Sequence, residues 1–185
     1  MNRRTSARLL SVAVLSLSLA ACGSSDGSAQ SSGGSTAQQS SAQACEPRPA
    51  TAKAPAEVSP DLTVAPKVPA TDAAPPCDLQ ISDVVVGTGA EAVDGTSAAV
   101  KYVGSFYGTG EEFDSSWSRG DAETLPVTVG AGQVISGFDQ AITGMKVGGR
   151  RMVVIPSDLG YGPSGQGPIP GGATLVFIID LTEAS

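Results

Sequence analysis

The stretch PSDLGYGPSGQGPIPGGATLVFIIDL, residues 156–181, decides the fold of this chain. Its second half, residues 173–181, is a nearly continuous apolar run that reaches Asp180, and a run of this length predicts a buried strand rather than a helix. Its first half, residues 160–172, contains six glycines and three prolines, which exclude a helix or a central strand. The sequence therefore predicts a long, shaped loop that leads into a buried strand.

Only two large side chains stand in this loop, Tyr161 and Ile169. Loops that are held by rigid strands often carry binding residues, so a polar-tipped aromatic and an aliphatic side chain in a Gly/Pro loop are candidates for a binding site. From these residues alone, an ordinary surface loop is an equally good interpretation.

The remaining apolar segments predict a sheet. Strands are expected at residues 79–86, 98–107, 125–129 and 150–155. One short amphipathic helix is expected between the last two, because apolar residues recur at helical spacing from Phe138 to Met145 after a candidate N-cap at Ser136. Gly144 is expected to end this helix. A single helix cannot cover a parallel sheet, so the prediction is an α+β fold with about five largely antiparallel strands and the helix on one face.

The composition excludes several classes of function. The chain contains no histidine, which rules out Ser-His-Asp and Cys-His catalysis as well as histidine-ligated metal sites. Its formal net charge is −7 and no basic stripe is visible, so nucleic-acid binding is not expected. We predict no metal and no cofactor.

Five ordered motifs resemble those of the FKBP-type peptidyl-prolyl isomerases. They are Tyr-x-Gly at residues 102–104, Gly-x-x-Phe-Asp-Ser-Ser at 110–116, Val-Ile-x-Gly-Phe at 134–138, Met-x-x-Gly-x-Arg at 145–150, and the Tyr-Gly, Ile-Pro and Ala-Thr-Leu-Val-Phe signature at 161–177. The resemblance spans roughly residues 78–182. It implies an antiparallel sheet wrapped around one short helix, with prolyl substrates held between sheet and helix.

The resemblance also implies the site residues. Tyr161 is similar to a tyrosine whose hydroxyl donates to a bound carbonyl, and Asp114 is similar to a carboxylate beside the site, so these two are the candidate catalytic residues. Arg119 is expected to pair with Asp114 or with Tyr102. The implied substrate-binding residues are Tyr102, Phe113, Leu125, Val134, Ile135, Phe138, Ile169 and Phe177.

Three positions depart from the family pattern. Phe138 stands where a tryptophan is usual and keeps an apolar floor without an indole N–H, Leu125 stands where a phenylalanine is common, and Gln166 falls near a loop histidine of some relatives. These departures bear on macrolide affinity and sequence preference more than on activity.

Without the resemblance, the residues have simpler interpretations. The apolar candidates, Val134 and Phe177 among them, would be ordinary core side chains. Trp117 has no matching role in the pocket and is expected at the rim or surface. Arg150 and Arg151 are expected to be solvated charges.

The implied function is peptidyl-prolyl cis-trans isomerisation of unfolded or proline-containing polypeptides. A dry pocket can twist the X-Pro amide without an acid, a base or a metal, which suits a chain without histidine. Macrolides are further candidate ligands, and a monomer is expected. One alternative is a proline-motif binding module with little or no turnover. A holdase-type chaperone is a weaker hypothesis. Family members with that role usually insert an extra domain into the loop that corresponds to residues 158–172, and this loop contains none.

Residues 1–21 have the features of a signal peptide. Three arginines precede a short apolar run that is broken by serines and is too short to span a membrane. The run ends in Leu-Ala-Ala before Cys22, which resembles the lipobox of bacterial lipoproteins. Cleavage and lipidation at Cys22 would attach the exported chain to the outer face of the cell membrane, whereas simple secretion with an incidental cysteine is the alternative. The remaining chain would carry eight basic and eighteen acidic residues, so its only membrane attachment would be the lipid.

Residues 22–60 are expected to be a disordered tether, rich in Ser and Gly and then in Pro and Ala, and the isomerase domain is expected at residues 61–185. Cys45 and Cys77 remain after lipidation. In an oxidising, exported location such a pair predicts a disulfide, with two free thiols as the alternative.

Overall fold

The computed structural model describes residues 45–120 and 122–185. The predicted signal peptide, Cys22 and the Ser/Gly-rich part of the tether lie outside the described residues. No helix within the described part of the chain is long and apolar enough to cross a membrane.

The described residues form one open antiparallel sheet and one α-helix. The strands are β1 (Gln80–Val85), β2 (Ser97–Phe106), β3 (Glu112–Ser115), β4 (Leu125–Thr128), β5 (Arg150–Ile155) and β6 (Leu175–Ala184), and the helix is α1 (Ser136–Ile142). The strand order is β1-β5-β6-β2-β3, and β4 also pairs with β2. The predicted antiparallel α+β fold is confirmed, with six strands instead of about five. The additional strand is β3, whose Glu-Phe-Asp-Ser sequence has turn-type residues and no apolar alternation.

Strand β6 is buried on both faces, which explains its continuous apolar sequence. Phe177 and Ile179 belong to the core between the sheet and α1. Val176 and Ile178 point into a second cluster that they share with Val58 of the N-terminal segment. The sheet is therefore covered by α1 on one face and by residues that precede β1 on the other.

The N-terminal segment, residues 45–77, packs on the sheet, so the prediction of a tether up to residue 60 is wrong for residues 45–60. Val58 is only 2% exposed. Ala52 N–H donates to the Ile81 carbonyl at 3.1 Å, and Ile81 N–H donates to the Ala50 carbonyl at 2.8 Å. These bonds satisfy the outer edge of β1. Proline-rich composition indicated an extended chain correctly but could not show that the chain docks.

The structure joins Cys45 to Cys77 in a disulfide, with a Cα–Cα distance of 4.9 Å. The link closes the N-terminal segment on itself immediately before β1. Beside it, Glu46 N–H donates to the Pro75 carbonyl at 2.8 Å and Cys77 N–H donates to the Glu46 carbonyl at 3.1 Å.

Arg150 is fully buried, contrary to the expectation of a solvated charge. Its guanidinium donates to both carboxylate oxygens of Asp180, at 2.6 and 2.7 Å. Its remaining donors reach the carbonyls of Ser59, Asp61 and Val64 at 2.7, 2.9 and 3.1 Å. Burial raises the pKa of Asp180, and the Arg150 charge opposes this shift. A buried guanidinium is tolerated here because its donors are matched by acceptors.

Arg151 is also largely buried, again contrary to expectation. It pairs with Asp83 at 2.7 Å and donates to the carbonyls of Ala141 and Thr143 at 2.8 and 3.1 Å. These carbonyls lie at the C-terminal end of α1, where a cation is favourable. Arg151 thereby fixes the end of α1 against β5.

Candidate active site

A cavity of about 710 Å³ lies between α1 and the sheet, and side chains from β2, β3, β4, β6 and the loop after β5 line it. Nine of the ten residues predicted for the site line this cavity. They are Tyr102, Phe113, Asp114, Leu125, Val134, Ile135, Phe138, Tyr161 and Phe177.

Four aromatic rings line the cavity together with the aliphatic side chains. The Phe177 ring lies 5.2 Å from Phe138 and 5.6 Å from Phe113 between centroids, both edge to face. Tyr102 packs edge to face on Phe138 at 5.9 Å. Edge-to-face pairs stabilise each other beyond simple burial, so the rings hold a preformed shape. Phe138, 3% exposed, sits on α1 as the predicted floor.

One side of the cavity is polar. The Tyr102 hydroxyl donates to Asp114 Oδ2 at 2.5 Å. Arg119 bridges the two side chains, since Nη1 lies 2.6 Å from Asp114 Oδ1 and Nη2 lies 2.9 Å from the Tyr102 hydroxyl. The two alternatives for Arg119 are therefore both realised. The three side chains hold one another in a closed triangle beside the apolar rings.

This triangle shifts the pKa values of its members. Partial burial raises the pKa of Asp114, but hydrogen bonds from Tyr102 and Arg119 outweigh burial, and the net pKa lies below its usual 3.8. Burial, followed by the hydrogen bond to Asp114, raises the pKa of the Tyr102 hydroxyl. At neutral pH the site thus contains a fixed carboxylate and a neutral phenol.

The Phe-Asp-Ser-Ser motif positions Asp114 through its serines. Ser115 N–H donates to Asp114 Oδ1 at 2.8 Å, which orients the carboxylate. The buried Ser116 hydroxyl accepts from Tyr102 N–H at 2.9 Å and ties the end of β3 to β2. The two serines therefore use local hydrogen bonds, which their residue type favours, to orient Asp114 and to hold β3 against β2.

Tyr161 brings a hydroxyl to the cavity wall. Within residues 45–120 and 122–185, no side chain or backbone group forms a hydrogen bond with this hydroxyl. Burial raises the pKa of Tyr161, and the negative charge of Asp114 adds to the shift. The group is a neutral donor that is available to a bound molecule.

The glycine-rich loop is held by its own backbone. Gln166 and Ile169 exchange two N–H to carbonyl bonds of 2.9 Å each, and Gly172 N–H donates to the Gly162 carbonyl at 3.0 Å. Gly165 has a φ of +68°, and a Cβ there would lie 2.7 Å from the Gly171 nitrogen. Only glycine fits this position.

Ile169 does not line the cavity, which corrects its prediction as a substrate-binding residue. Its side chain is 6% exposed and packs in the core beneath the loop. In a loop with so few apolar side chains, it is the residue that can anchor the loop to the domain.

Three polar residues that line the cavity were not predicted as site residues: Gln133, Asp158 and Gln166. Gln133 lies directly before the Val134-Ile135 motif, and its side-chain oxygen accepts from Thr128 N–H at 2.8 Å. Asp158 lies between β5 and Tyr161. The sequence signal that could have identified these residues is their position beside the family motifs. Trp117 lies outside the cavity lining, with the Lys101 ammonium 3.9 Å from its ring centre.

The sequence model of the family described as FKBP-type peptidyl-prolyl cis-trans isomerase matches residues 89–182. The chain belongs to this family. It is 52% identical over 109 residues to a probable FK506-binding protein of Corynebacterium glutamicum, covering 59% of this chain and 89% of that protein. It is likewise 52% identical over 109 residues to an FK506-binding protein of Streptomyces anulatus, with coverages of 58% and 86%.

Solved structures agree with this assignment. The crystal structure of AtFKBP13 is similar with a TM-score of 0.53 and 37% identity, covering 58% of this chain and 93% of that one. FkpA from Escherichia coli gives a TM-score of 0.52 and 34% identity, covering 58% of this chain and 48% of that one. As a member of this family, the FKBP-type chain is a peptidyl-prolyl cis-trans isomerase.

Proposed function

We propose that this FKBP-type isomerase turns the X-Pro bond inside the aromatic cavity, with Tyr161 and Asp114 as its catalytic residues. The observation that carries the proposal is the available Tyr161 hydroxyl on the wall of a cavity built from edge-to-face aromatic rings. The apolar walls suit a pyrrolidine ring, and the hydroxyl suits a peptide carbonyl.

The proposed mechanism is stabilisation of the twisted amide without a covalent step. The barrier of about 18–20 kcal/mol arises from amide resonance. A twisted amide has less charge separation than a planar one, so transfer into a dry cavity favours the twisted state. Each 1.36 kcal/mol gained in this way raises the rate tenfold.

The two polar side chains of the cavity have different roles toward the bound peptide. Tyr161 donates to a carbonyl of the bound peptide and fixes one peptide unit while the other rotates. Asp114 places a fixed negative charge beside the rotating amide, and its bonds to Tyr102 and Arg119 keep it from moving toward the substrate.

The proposed substrates are unfolded or proline-containing polypeptides of exported proteins. Export and attachment to the outer face of the cell membrane through a lipid on Cys22 rest on the sequence of residues 1–22. The relatives' name, FK506-binding protein, supports a macrolide as a second ligand of the cavity. Phe138 and Leu125 would then contact the macrolide. The departure of these two residues from the family pattern would therefore affect the affinity for the macrolide.

A protease-coupled isomerisation assay tests the proposal. The full chain is compared with Tyr161→Phe and Asp114→Val on proline tetrapeptides that differ in the residue before proline. Loss of one transition-state hydrogen bond predicts that Tyr161→Phe lowers kcat/KM about tenfold. Tyr107→Phe is the matched control, because it removes a hydroxyl that does not line the cavity. A folded wild-type chain that binds the peptides without accelerating isomerisation would favour the binding module instead.

A further inference from the structure

A second, larger concavity adjoins the catalytic cavity. It has a volume of about 1050 Å³ and lies between the N-terminal segment at residues 71–77, the end of β2 with the following turn at residues 106–109, and the loop residues 156–158 and 171–174. We call it the flanking groove. Asp158 lines both the flanking groove and the catalytic cavity, so the two concavities meet at this residue.

The wall formed by the N-terminal segment is fixed in place. Thr71 N–H donates to the Gly108 carbonyl at 2.9 Å, and the Tyr107 hydroxyl donates to the Ala74 carbonyl at 3.3 Å. The Cys45–Cys77 disulfide closes the far end of the wall. The groove therefore exists before any ligand binds, which lowers the entropic cost of binding.

The lining of the groove has one sign of charge. Asp72 and Asp158 are both exposed carboxylates, and no lysine or arginine is among its lining residues. Phe106, whose ring centre lies 5.2 Å from that of Phe113 in the catalytic cavity, adds an apolar side chain to the groove lining. A basic, extended segment is the partner that matches this combination.

We propose that the flanking groove is a second substrate-binding site, which takes the part of a polypeptide that leaves the catalytic cavity past Asp158 and which favours lysine or arginine several residues from the proline. This inference rests on the proposed function of the catalytic cavity. A polypeptide whose central proline is bound in the catalytic cavity continues out of that cavity on both sides of the proline. At about 3.3 Å per extended residue, a few residues are enough to reach the neighbouring flanking groove. Because the two concavities meet at Asp158, we take the substrate itself as the occupant of the flanking groove.

The test compares substrates that differ only outside the catalytic cavity. A proline tetrapeptide is compared with peptides of about twelve residues that carry lysine, serine or glutamate several positions from the same central tetrapeptide. Isomerisation by the full chain is followed without protease, by NMR exchange, at low ionic strength. The key variant is Asp72→Lys, since Asp72 is exposed and lines only the flanking groove. Asp94→Lys is the matched control, an equal charge change at an exposed residue that lines neither concavity.

We expect Asp72→Lys to lower kcat/KM for the lysine peptide by about threefold to tenfold, as reversal of an exposed charge pair implies, and to raise it for the glutamate peptide. The tetrapeptide should be unaffected, Asp94→Lys should change none of the substrates, and high salt should remove the difference. Thermal melting checks that both variants are folded.

Equal kcat/KM for the lysine and glutamate peptides with the wild-type chain, or equal effects of the two variants, would overturn the groove while tetrapeptide turnover still supports the catalytic cavity. Absence of tetrapeptide turnover would instead count against the cavity. In that case, the backbone amide chemical shifts of residues 71–74, 77 and 106–109 on addition of the lysine peptide decide the groove by themselves. Shifts there support it, and unchanged amides refute it.

Discussion

Replacement of Val58 by alanine should destabilise the whole domain, because the structure makes the N-terminal segment part of the fold. Val58 is 2% exposed and packs in a cluster with Val68, Met152 and Ile178. The change removes the equivalent of two buried methylene groups, at about 0.8 kcal/mol each, and leaves a small cavity. We expect the free energy of unfolding to fall by about 2 kcal/mol.

Val64→Ala is the matched control, since Val64 belongs to the same segment but is 46% exposed. Its expected cost is below about 0.5 kcal/mol. Urea unfolding, followed by the fluorescence of Trp117, measures both values. If the Val58 variant lost no more stability than the Val64 variant at unchanged m-value, residues 45–60 would not be part of the cooperative unit and our correction of the domain boundary would fail.

The remaining predictions concern pH, the disulfide and membrane attachment. Activity should be constant between about pH 5 and pH 9, because the pKa of Asp114 is lowered from 3.8, that of Tyr161 is raised from 10.0, and the chain has no histidine; a bell-shaped kcat/KM profile within this window would contradict it. A lowered carboxyl pKa stabilises the fold above the unfolded pKa, so the Asp114 contribution should be lost on acidification through its folded pKa, as acid unfolding of Asp114→Asn would reveal. Removing the link with Cys45→Ala and Cys77→Ala should cost about 4 kcal/mol in urea unfolding, and a cost near zero would show that the link does not constrain the unfolded chain. Cys22→Ser should move the protein from the membrane to the soluble fraction, and unchanged fractionation would exclude the lipid anchor.

The site was more predictable from the sequence than the packing of the N-terminal segment on the opposite face of the sheet. Tyr102, Asp114, Phe138 and Tyr161 lie in contiguous motifs, whose spacing carries the geometry of β2, β3, α1 and the loop. Ile169 failed as a pocket residue because a sequence gives its place in the loop but not the side to which its chain turns.

Long-range pairing explains the other differences. Arg150 looked like a surface charge because its acceptors are distant in the sequence, Asp180 on β6 and the carbonyls of residues 59–64. Each partner alone is unremarkable in composition. Only when the N-terminal segment crosses the sheet do enough acceptors meet to bury a guanidinium. The docking of residues 45–60 was not predicted for the same reason, because their contacts are also distant in the sequence.

Strand β6 connects this support to the site. Phe177 faces the catalytic cavity, while its neighbours Val176 and Ile178 face the N-terminal segment, because side chains alternate across a strand. Asp180, on the same strand, binds Arg150, which in turn holds that segment by its carbonyls. A segment that is remote from the cavity in sequence thus presses on the back of the strand that carries one of its aromatic walls. Loss of the segment should therefore loosen Phe177 and lower the rate of isomerisation even for a tetrapeptide, whereas a change confined to the flanking groove should not.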